Sequence, residues 1–239
     1  MRQALLSTLG IARDAMGYTF TLRTIYPYLG ELQQAAGLTL SLSILAIVIS
    51  ITLGAGVAVM RRSASRLLRF LGTAYVEVMR NTPLLVILYI IYFAGPSIGV
   101  RLSSFTAAVI GLSLNSVGYM AEILRAGLIA VAPGQFEAAQ SQGMSTVQVF
   151  RHVVFPQVFR TIYAPLGNQV IAVILASSLA SAIAVDEVAS WMETTGSTSF
   201  RFFETFVVAA VVYLVLCQAV NLARIAVGRM LFRQEASGR

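Results

Sequence analysis

The sequence predicts an all-α membrane protein with five transmembrane helices. Of its 239 residues, 57% are hydrophobic and only 11% are charged, a balance that is too apolar for an ordinary soluble domain. Crossing about 30 Å of hydrocarbon takes roughly 20 apolar helical residues. Five segments without a charged residue reach that length, and they are residues 37–60, 82–100, 102–121, 161–185 and 205–223.

The segment before the first span, residues 1–36, is predicted to be extracytoplasmic. Its apolar stretch 4–12 is short, is interrupted by polar residues and lacks a convincing cleavage site, so we do not expect a cleaved signal peptide. Three aromatic residues of this segment are placed as side chains at a membrane interface commonly are. They are Tyr18, Tyr26 and Tyr28.

The placement of arginine orients the spans. With five spans and the N-terminus outside the cytoplasm, twelve arginines lie on the cytoplasmic side of the membrane and five on the other side. Because cytoplasmic loops of membrane proteins carry an excess of basic residues, we expect the N-terminus outside and the C-terminus inside. The transmembrane domain then covers residues 37–233, and both the tail 234–239 and the loop 132–156 face the cytoplasm.

The loop 132–156 is predicted to form two short helices around a glycine. Pro133 suits a first helical turn, and good helix formers follow it up to Gly143, where glycine allows a positive φ and a close approach by a partner. Apolar residues at three- and four-residue spacings then predict a second, amphipathic helix that Pro156 ends. These apolar residues are Val147, Phe150, Val153 and Val154.

Eight polar residues lie at membrane depth on the third and fourth spans, where they need hydrogen-bond partners. They either bond between helices, as such groups commonly do in bilayers, or line a wet cavity for a zwitterion. Packing is the favoured role for any one serine, whereas both roles are open for Asn115 and Asn168. The eight are Asn115, Ser116, Tyr119, Asn168, Gln169, Ser177, Ser178 and Ser181.

The residues needed for an enzyme are missing from the sequence. The chain has no lysine, so it cannot form the phosphate-binding loop G-x-x-x-x-G-K-[ST], and we expect no cofactor in this chain. A lone His152 and a lone Cys217 leave a metal or nucleophilic site without components. The arginines are scattered at the ends of apolar segments, which favours membrane topology and anionic lipid contact over nucleic-acid binding.

The loop also carries a fixed pattern of residues. Glu137, Ala138 and Ala139 are followed after three residues by Gly143 and after nine more by Val153, Val154, Phe155 and Pro156. The pattern resembles the cytoplasmic coupling loop of the ABC importer permeases, E-A-A, three residues, G, nine residues, I-x-L-P. Only the two aliphatic positions differ, with Val153 for Ile and Phe155 for Leu. The resemblance implies the type I ABC importer permease fold and a loop that docks on an ATPase.

Further segments are similar to the polar amino-acid branch of that family, which takes up histidine-, glutamine-, glutamate-, arginine- or opine-type solutes. They are Arg80–Leu85, Gly118–Ile123, Pro133–Gln135 and Pro165–Gln169. Membership implies a bacterial inner-membrane permease that pairs with a second, identical or homologous permease subunit. It also implies two ATP-binding subunits, which hold ATP and Mg, and an extracytoplasmic substrate-binding protein.

One position departs from that branch. Many relatives have a lysine followed by Asp or Asn before the Ser-Ser-Leu of the fourth span, whereas this chain has Leu175 and Ala176. If this position contributes to a transmembrane site, the missing carboxylate argues against a cationic solute and favours a neutral, acidic or opine-like one. The alternative is a nonspecific membrane site, with selection of the solute by the external binding protein. Two alternatives remain open at this point: an importer of methionine- or betaine-type solutes, and an ATP-independent carrier, which would leave the E-A-A loop unexplained.

Charged residues at the ends of the spans are predicted to be structural or solvated. Glu122 and Arg125 are three residues apart and suit a helical ion pair. Asp186, Glu187 and Glu193, at the outer end of the fourth span, either contact the binding protein or are solvated, and we favour solvation. Small residues such as Gly54 and Gly56 in the first span would permit close helix packing.

Overall fold

The computed structural model describes residues 18–231, and that part of the chain is helical with no strand. The predicted cytoplasmic tail 234–239 and the apolar stretch 4–12 lie outside the described residues. In chain order the α-helices are α1 Leu29–Met60, α2 Arg66–Asn81, α3 Leu84–Tyr89, α4 Ser104–Ile129, α5 Pro133–Ser141, α6 Thr146–Val149, α7 Phe155–Ala176, α8 Val188–Ser199 and α9 Phe202–Leu231.

Four helices are long and apolar enough to cross a membrane unaided. They correspond to the predicted first, third, fourth and fifth spans and cover Tyr26–Met60, Ser104–Ile129, Thr146–Ile183 and Phe202–Leu231. Each reaches beyond the predicted limits, because amphipathic turns continue the apolar core of the helix at its ends. The first, for example, starts well before residue 37.

The predicted second span, residues 82–100, is not a straight helix. α3 continues through a π-helical turn, Ile90–Ala94, and a 3-10 helix, Gly95–Ile98. The helical segment Leu84–Ile98 is long and apolar enough to be a candidate membrane span only when it is joined with α2. The two segments meet at an angle of 103°. The bend lies at Thr82 and Pro83, where the extended backbone before proline ends α2.

Helix α2 is absent from the sequence prediction. It is strongly amphipathic and begins at Ser65, whose side chain accepts a hydrogen bond from the Leu68 N–H. Its buried side presents Gly72 and Val76 to the rest of the protein, while Leu67 and Phe70 are exposed. An exposed apolar stripe on such a helix fits a position at the membrane surface.

Close contact between α1 and α4 organises the core. A Cβ atom on Gly54 would lie 2.7 Å from the Cβ of Met120, so the two backbones approach as closely as glycine allows. The prediction of close packing is therefore confirmed at Gly54. Around Gly56 nothing lies within 4 Å of the corresponding position.

The prediction that Glu187 is solvated is wrong. Glu187 is fully buried and caps α8 by accepting hydrogen bonds from the N–H groups of Ala189 and Ser190. Its other oxygen accepts hydrogen bonds from Thr39 on α1 and Tyr213 on α9. Burial raises the pKa of Glu187, and these hydrogen bonds oppose the rise. Asp186 and Glu193 are exposed, as predicted.

Candidate translocation cavity and coupling loop

A cavity of about 520 Å³ lies beside the central part of α4. Its other walls are the corner between α2 and α3, the C-terminal half of α7, and the 3-10 helix Ser177–Ile183 that follows α7. The lining is mixed polar and apolar. It comprises Arg80, Asn81, Thr82, Pro83, Leu84, Leu112, Asn115, Ser116, Tyr119, Gln169, Ala172, Val173, Ala176 and Leu179.

Four of the eight predicted polar residues meet in this cavity: Asn115, Ser116, Tyr119 and Gln169. Asn115 also packs helices, because its Nδ2 donates a hydrogen bond of 2.8 Å to the carbonyl of Met79 at the end of α2. That bond joins α4 to α2 and leaves the amide oxygen of Asn115 as a hydrogen-bond acceptor. The two roles considered for Asn115 therefore occur together.

The other four predicted residues lie elsewhere. Asn168 is exposed on α7 and does not line this cavity. Ser177 is buried and donates to the carbonyl of Ile174 at 2.7 Å, a local helical bond. Ser178 and Ser181 also donate to carbonyls three residues back, and they line a second cavity of about 480 Å³ beside α8 and α9.

Arg80 is the charged residue of the cavity, and it was not predicted as a site residue. It is the next-to-last residue of α2, and its guanidinium carbon lies 5.3 Å from the centre of the Tyr119 ring. This distance is typical of a cation–π contact. Its position in the sequence, immediately before an uncharged apolar segment, is the signal that could have identified Arg80 as a site residue, because a long basic side chain at the start of a span can reach polar groups between the helices.

The first coupling helix, α5, turns one side towards its own subunit. Ala139 is buried against the C-terminal end of α4 and the N-terminal end of α7, in a cluster with Val131, Val149, Val154 and other apolar residues. Glu137 and Ala138 are exposed. Of the E-A-A residues, the glutamate and the first alanine are thus accessible to a partner, and the small size of Ala139 serves internal packing.

Gly143 joins α5 to α6 with φ of +78°, as the sequence predicted. A residue with a left-handed backbone at this place gives a carbonyl at the end of α5 a hydrogen-bond partner, since the Gly143 N–H donates to the carbonyl of Gln140. Ser145 then starts α6 with a capping box: its side chain accepts from the Gln148 N–H, and the Gln148 side chain accepts from the Ser145 N–H.

Pro156 does not end the second coupling helix, contrary to the prediction. α6 continues through a π-helical turn, Phe150–Val154, into α7, and Pro156, which has no N–H to donate to the preceding turn, follows directly after this wider turn. The wide turn also changes which side chains are buried. Val149 and Val154 are buried, Val153 is half-buried, and Val147, Phe150 and Phe155 are exposed apolar groups.

An ion-pair cluster lies between the cavity and the loop. The predicted pair of Glu122 and Arg125 is confirmed, with Arg125 Nε 3.1 Å from a Glu122 oxygen. Arg61, the first residue after α1, also binds Glu122. The carboxylate therefore ties the C-terminal end of α1 to α4 with two arginines.

The chain is similar to known membrane transport proteins. Residues 46–231 match the family described as "Binding-protein-dependent transport system inner membrane component". The "Probable glutamine ABC transporter permease protein GlnM" of Bacillus subtilis (strain 168) is 38% identical over 178 residues, 74% of this chain and 82% of that protein. The "L-cystine transport system permease protein TcyB" of the same organism is 36% identical over 199 residues, 83% of this chain and 85% of that protein.

A solved structure has the same fold. The crystal structure of an amino acid ABC transporter with histidines superposes with a TM-score of 0.83 at 33% identity, over 89% of this chain and 100% of that chain. Sequence and structure thus agree over most of the protein. The chain belongs to the family of binding-protein-dependent transport system inner membrane components and is an ABC transporter permease subunit.

Proposed function

We propose that this subunit forms the membrane path of an ATP-driven importer for neutral or acidic amino acids or similar solutes. The observation that carries the proposal is the cavity of about 520 Å³ between the membrane helices, which brings Asn115, Tyr119 and Gln169 together. Polar groups on several spans that converge on one cavity suit a polar solute in transit. The relatives named for glutamine and L-cystine support an amino-acid substrate over a methionine- or betaine-type one.

The loop of α5 and α6 is the proposed contact with a separate ATPase. Glu137 offers a negative charge and Ala138 a small surface, while Val147, Phe150 and Phe155 are exposed apolar groups beside them. Apolar side chains that remain exposed on a loop outside the membrane favour a protein partner. ATP and Mg would then bind to that partner, because the sequence carries no phosphate-binding loop.

The proposed assembly contains two ATP-binding subunits, a second permease subunit and an extracytoplasmic substrate-binding protein, embedded in the lipid of a bacterial inner membrane. The arginine distribution supports an N-terminus outside and a C-terminus in the cytoplasm. In this orientation the loop faces the ATPase. The ion pairs of Glu122 with Arg61 and Arg125 lie between loop and cavity and would hold α1 and α4 together while the loop moves.

The test is a reconstitution in nanodiscs with the ATPase and binding protein encoded beside this chain. ATP hydrolysis is measured with L-glutamine, L-glutamate, L-cystine and L-arginine. We expect stimulation by a neutral or acidic amino acid that is lost in Glu137→Lys and kept in Gln142→Lys, which places a lysine at an exposed, neutral position of the same loop. A chain that binds no ATPase, or a Glu137→Lys complex with normal stimulation, would contradict the proposal.

A further inference from the structure

Arg80 is placed as a ligand-binding side chain would be. It ends α2 at the 103° bend and reaches the cavity that Asn115 and Gln169 also line. Its guanidinium stacks with Tyr119 at 5.3 Å from the ring centre. A guanidinium held against an aromatic ring keeps a fixed plane, so its N–H groups are preorganised for a planar acceptor.

No protein anion neutralises this charge within the part of the chain described, residues 18–231. The ion pairs found there involve Arg61, Arg125 and Arg201, and none involves Arg80. The cavity lining contains no aspartate or glutamate. An arginine stays charged under all ordinary conditions, and Arg80 is exposed, so its guanidinium is open to an anion that enters the cavity.

The remaining polar groups of the cavity are neutral. Asn115 uses its amide N–H₂ to hold Met79, which leaves its oxygen as an acceptor, and Gln169 adds a second amide. Amide oxygens accept hydrogen bonds from an ammonium group without carrying a full charge. The cavity therefore offers one cation for a carboxylate and neutral acceptors for an amine, but no anion for a second cationic group.

We infer that Arg80 binds the carboxylate of the transported solute, and that the cavity selects carboxylate-bearing solutes without a cationic side chain. Two parallel N–H···O bonds from a guanidinium to a carboxylate give both strength and orientation. The inference rests on the proposed function, since it concerns the same cavity. The inference names Arg80 as the residue that recognises the solute, and it states which charge class of solute the cavity admits.

The test measures the binding of amino acids to the permease–ATPase complex in nanodiscs. The binding protein is left out, so that the measured affinity is that of the membrane cavity alone. Calorimetry compares L-glutamine and L-glutamate with their α-amides, which lack the α-carboxylate, and with L-arginine. We expect wild type to bind at least one of the two amino acids at least tenfold more tightly than its α-amide and than L-arginine. Arg80→Gln should bring the ratio of amino acid to amide close to one, and Arg80→Lys should keep part of it.

Arg66→Gln is the matched control, because Arg66 is an exposed arginine at the other end of α2. It should leave the ratio unchanged. If Arg80 were only structural, Arg80→Gln would weaken amino acid and amide alike, and an unchanged ratio would overturn the inference. Preferential binding of L-arginine by wild type, or ATPase stimulation by amino acids without binding of L-glutamine or L-glutamate, would also overturn it while leaving the importer function intact. Failure of every amino acid to stimulate the complete importer would refute the proposed function itself.

Discussion

Thr39 on α1 donates a hydrogen bond of 3.2 Å to the buried carboxylate of Glu187, which lies 148 residues further along the chain. The same hydroxyl accepts a hydrogen bond from the N–H of Val188, the first residue of α8. One side chain thus fixes both the carboxylate and the start of a helix. With Tyr213 as the third member, the cluster connects α1, α8 and α9.

Removing the hydroxyl of Thr39 should destabilise the protein. Thr39→Val keeps the shape but leaves a buried carboxylate oxygen short of one donor and the Val188 N–H without its acceptor. We expect a loss of roughly 1–3 kcal/mol in unfolding free energy, the usual effect of an unsatisfied buried group. Thermal unfolding in detergent measures it. Thr52→Val on the same helix is the control, since Thr52 is exposed and donates only to Val48; equal effects of the two substitutions would contradict the prediction.

Stability should also depend on pH through Glu187. Because burial raises the pKa of Glu187 above its ordinary value of 4.5, the folded protein holds this proton more firmly than the unfolded chain. The contribution is therefore fully present below the ordinary pKa and is lost as pH rises through the folded pKa. We expect the melting temperature of wild type, relative to Glu187→Gln, to be highest below pH 4.5 and to fall as pH rises above it. A relative melting temperature that rises with pH would show that the hydrogen bonds outweigh burial.

The crossing of α1 and α4 should not tolerate a side chain at Gly54. A Cβ there would lie 2.7 Å from the Cβ of Met120 and 3.2 Å from the Ala121 nitrogen, which is backbone and cannot rotate away. Gly54→Val should destabilise the protein by about 1–3 kcal/mol, as overpacking of a core commonly does. Gly56→Val, in open space on the same helix, should have a much smaller effect. The two variants are compared by thermal unfolding and by the yield of monodisperse protein.

The loop should depend on the backbone conformation of Gly143 and not on its small size. Its φ is +78°, yet nothing lies within 4 Å of a Cβ built there. Gly143→Asn should therefore retain substrate-stimulated ATP hydrolysis, because asparagine tolerates the left-handed region. Gly143→Val should lose most of it, since left-handed backbone costs about 1–2 kcal/mol for ordinary residues and more for branched ones. Loss of activity in both variants would point to close approach of a partner as the reason for glycine.

The spans and the coupling loop could be predicted from the sequence because hydropathy and residue spacing are local signals. Helix α2 was missed since its charged residues, among them Arg69 and Glu77, remove it from a search for apolar segments. The capping box of Ser145 and Gln148 was also missed, although Ser-x-x-Gln before an apolar run is a readable signal.

Tertiary contacts account for the remaining differences. The burial of Glu187 depends on Thr39 and Tyr213, which lie on other helices, so a carboxylate after an apolar segment gives no local sign of it. Likewise, only the fold shows that Gln169 faces the cavity while its neighbour Asn168 is exposed. Successive residues of a helix point about 100° apart, and the sequence does not say which direction leads to the cavity.

The unbroken passage from α6 through the π-helical turn into α7 has a mechanical consequence. Thr146 at the loop and Gln169 at the cavity belong to one helical rod, Thr146–Ile183, and are separated by roughly 35 Å at 1.5 Å per residue. When this rod tilts by about 5° about its loop end, Gln169 moves by about 3 Å, given that length. Such a displacement equals the length of a hydrogen bond, so a small tilt of the rod is enough to bring Gln169 into or out of hydrogen-bonding distance of a group in the cavity.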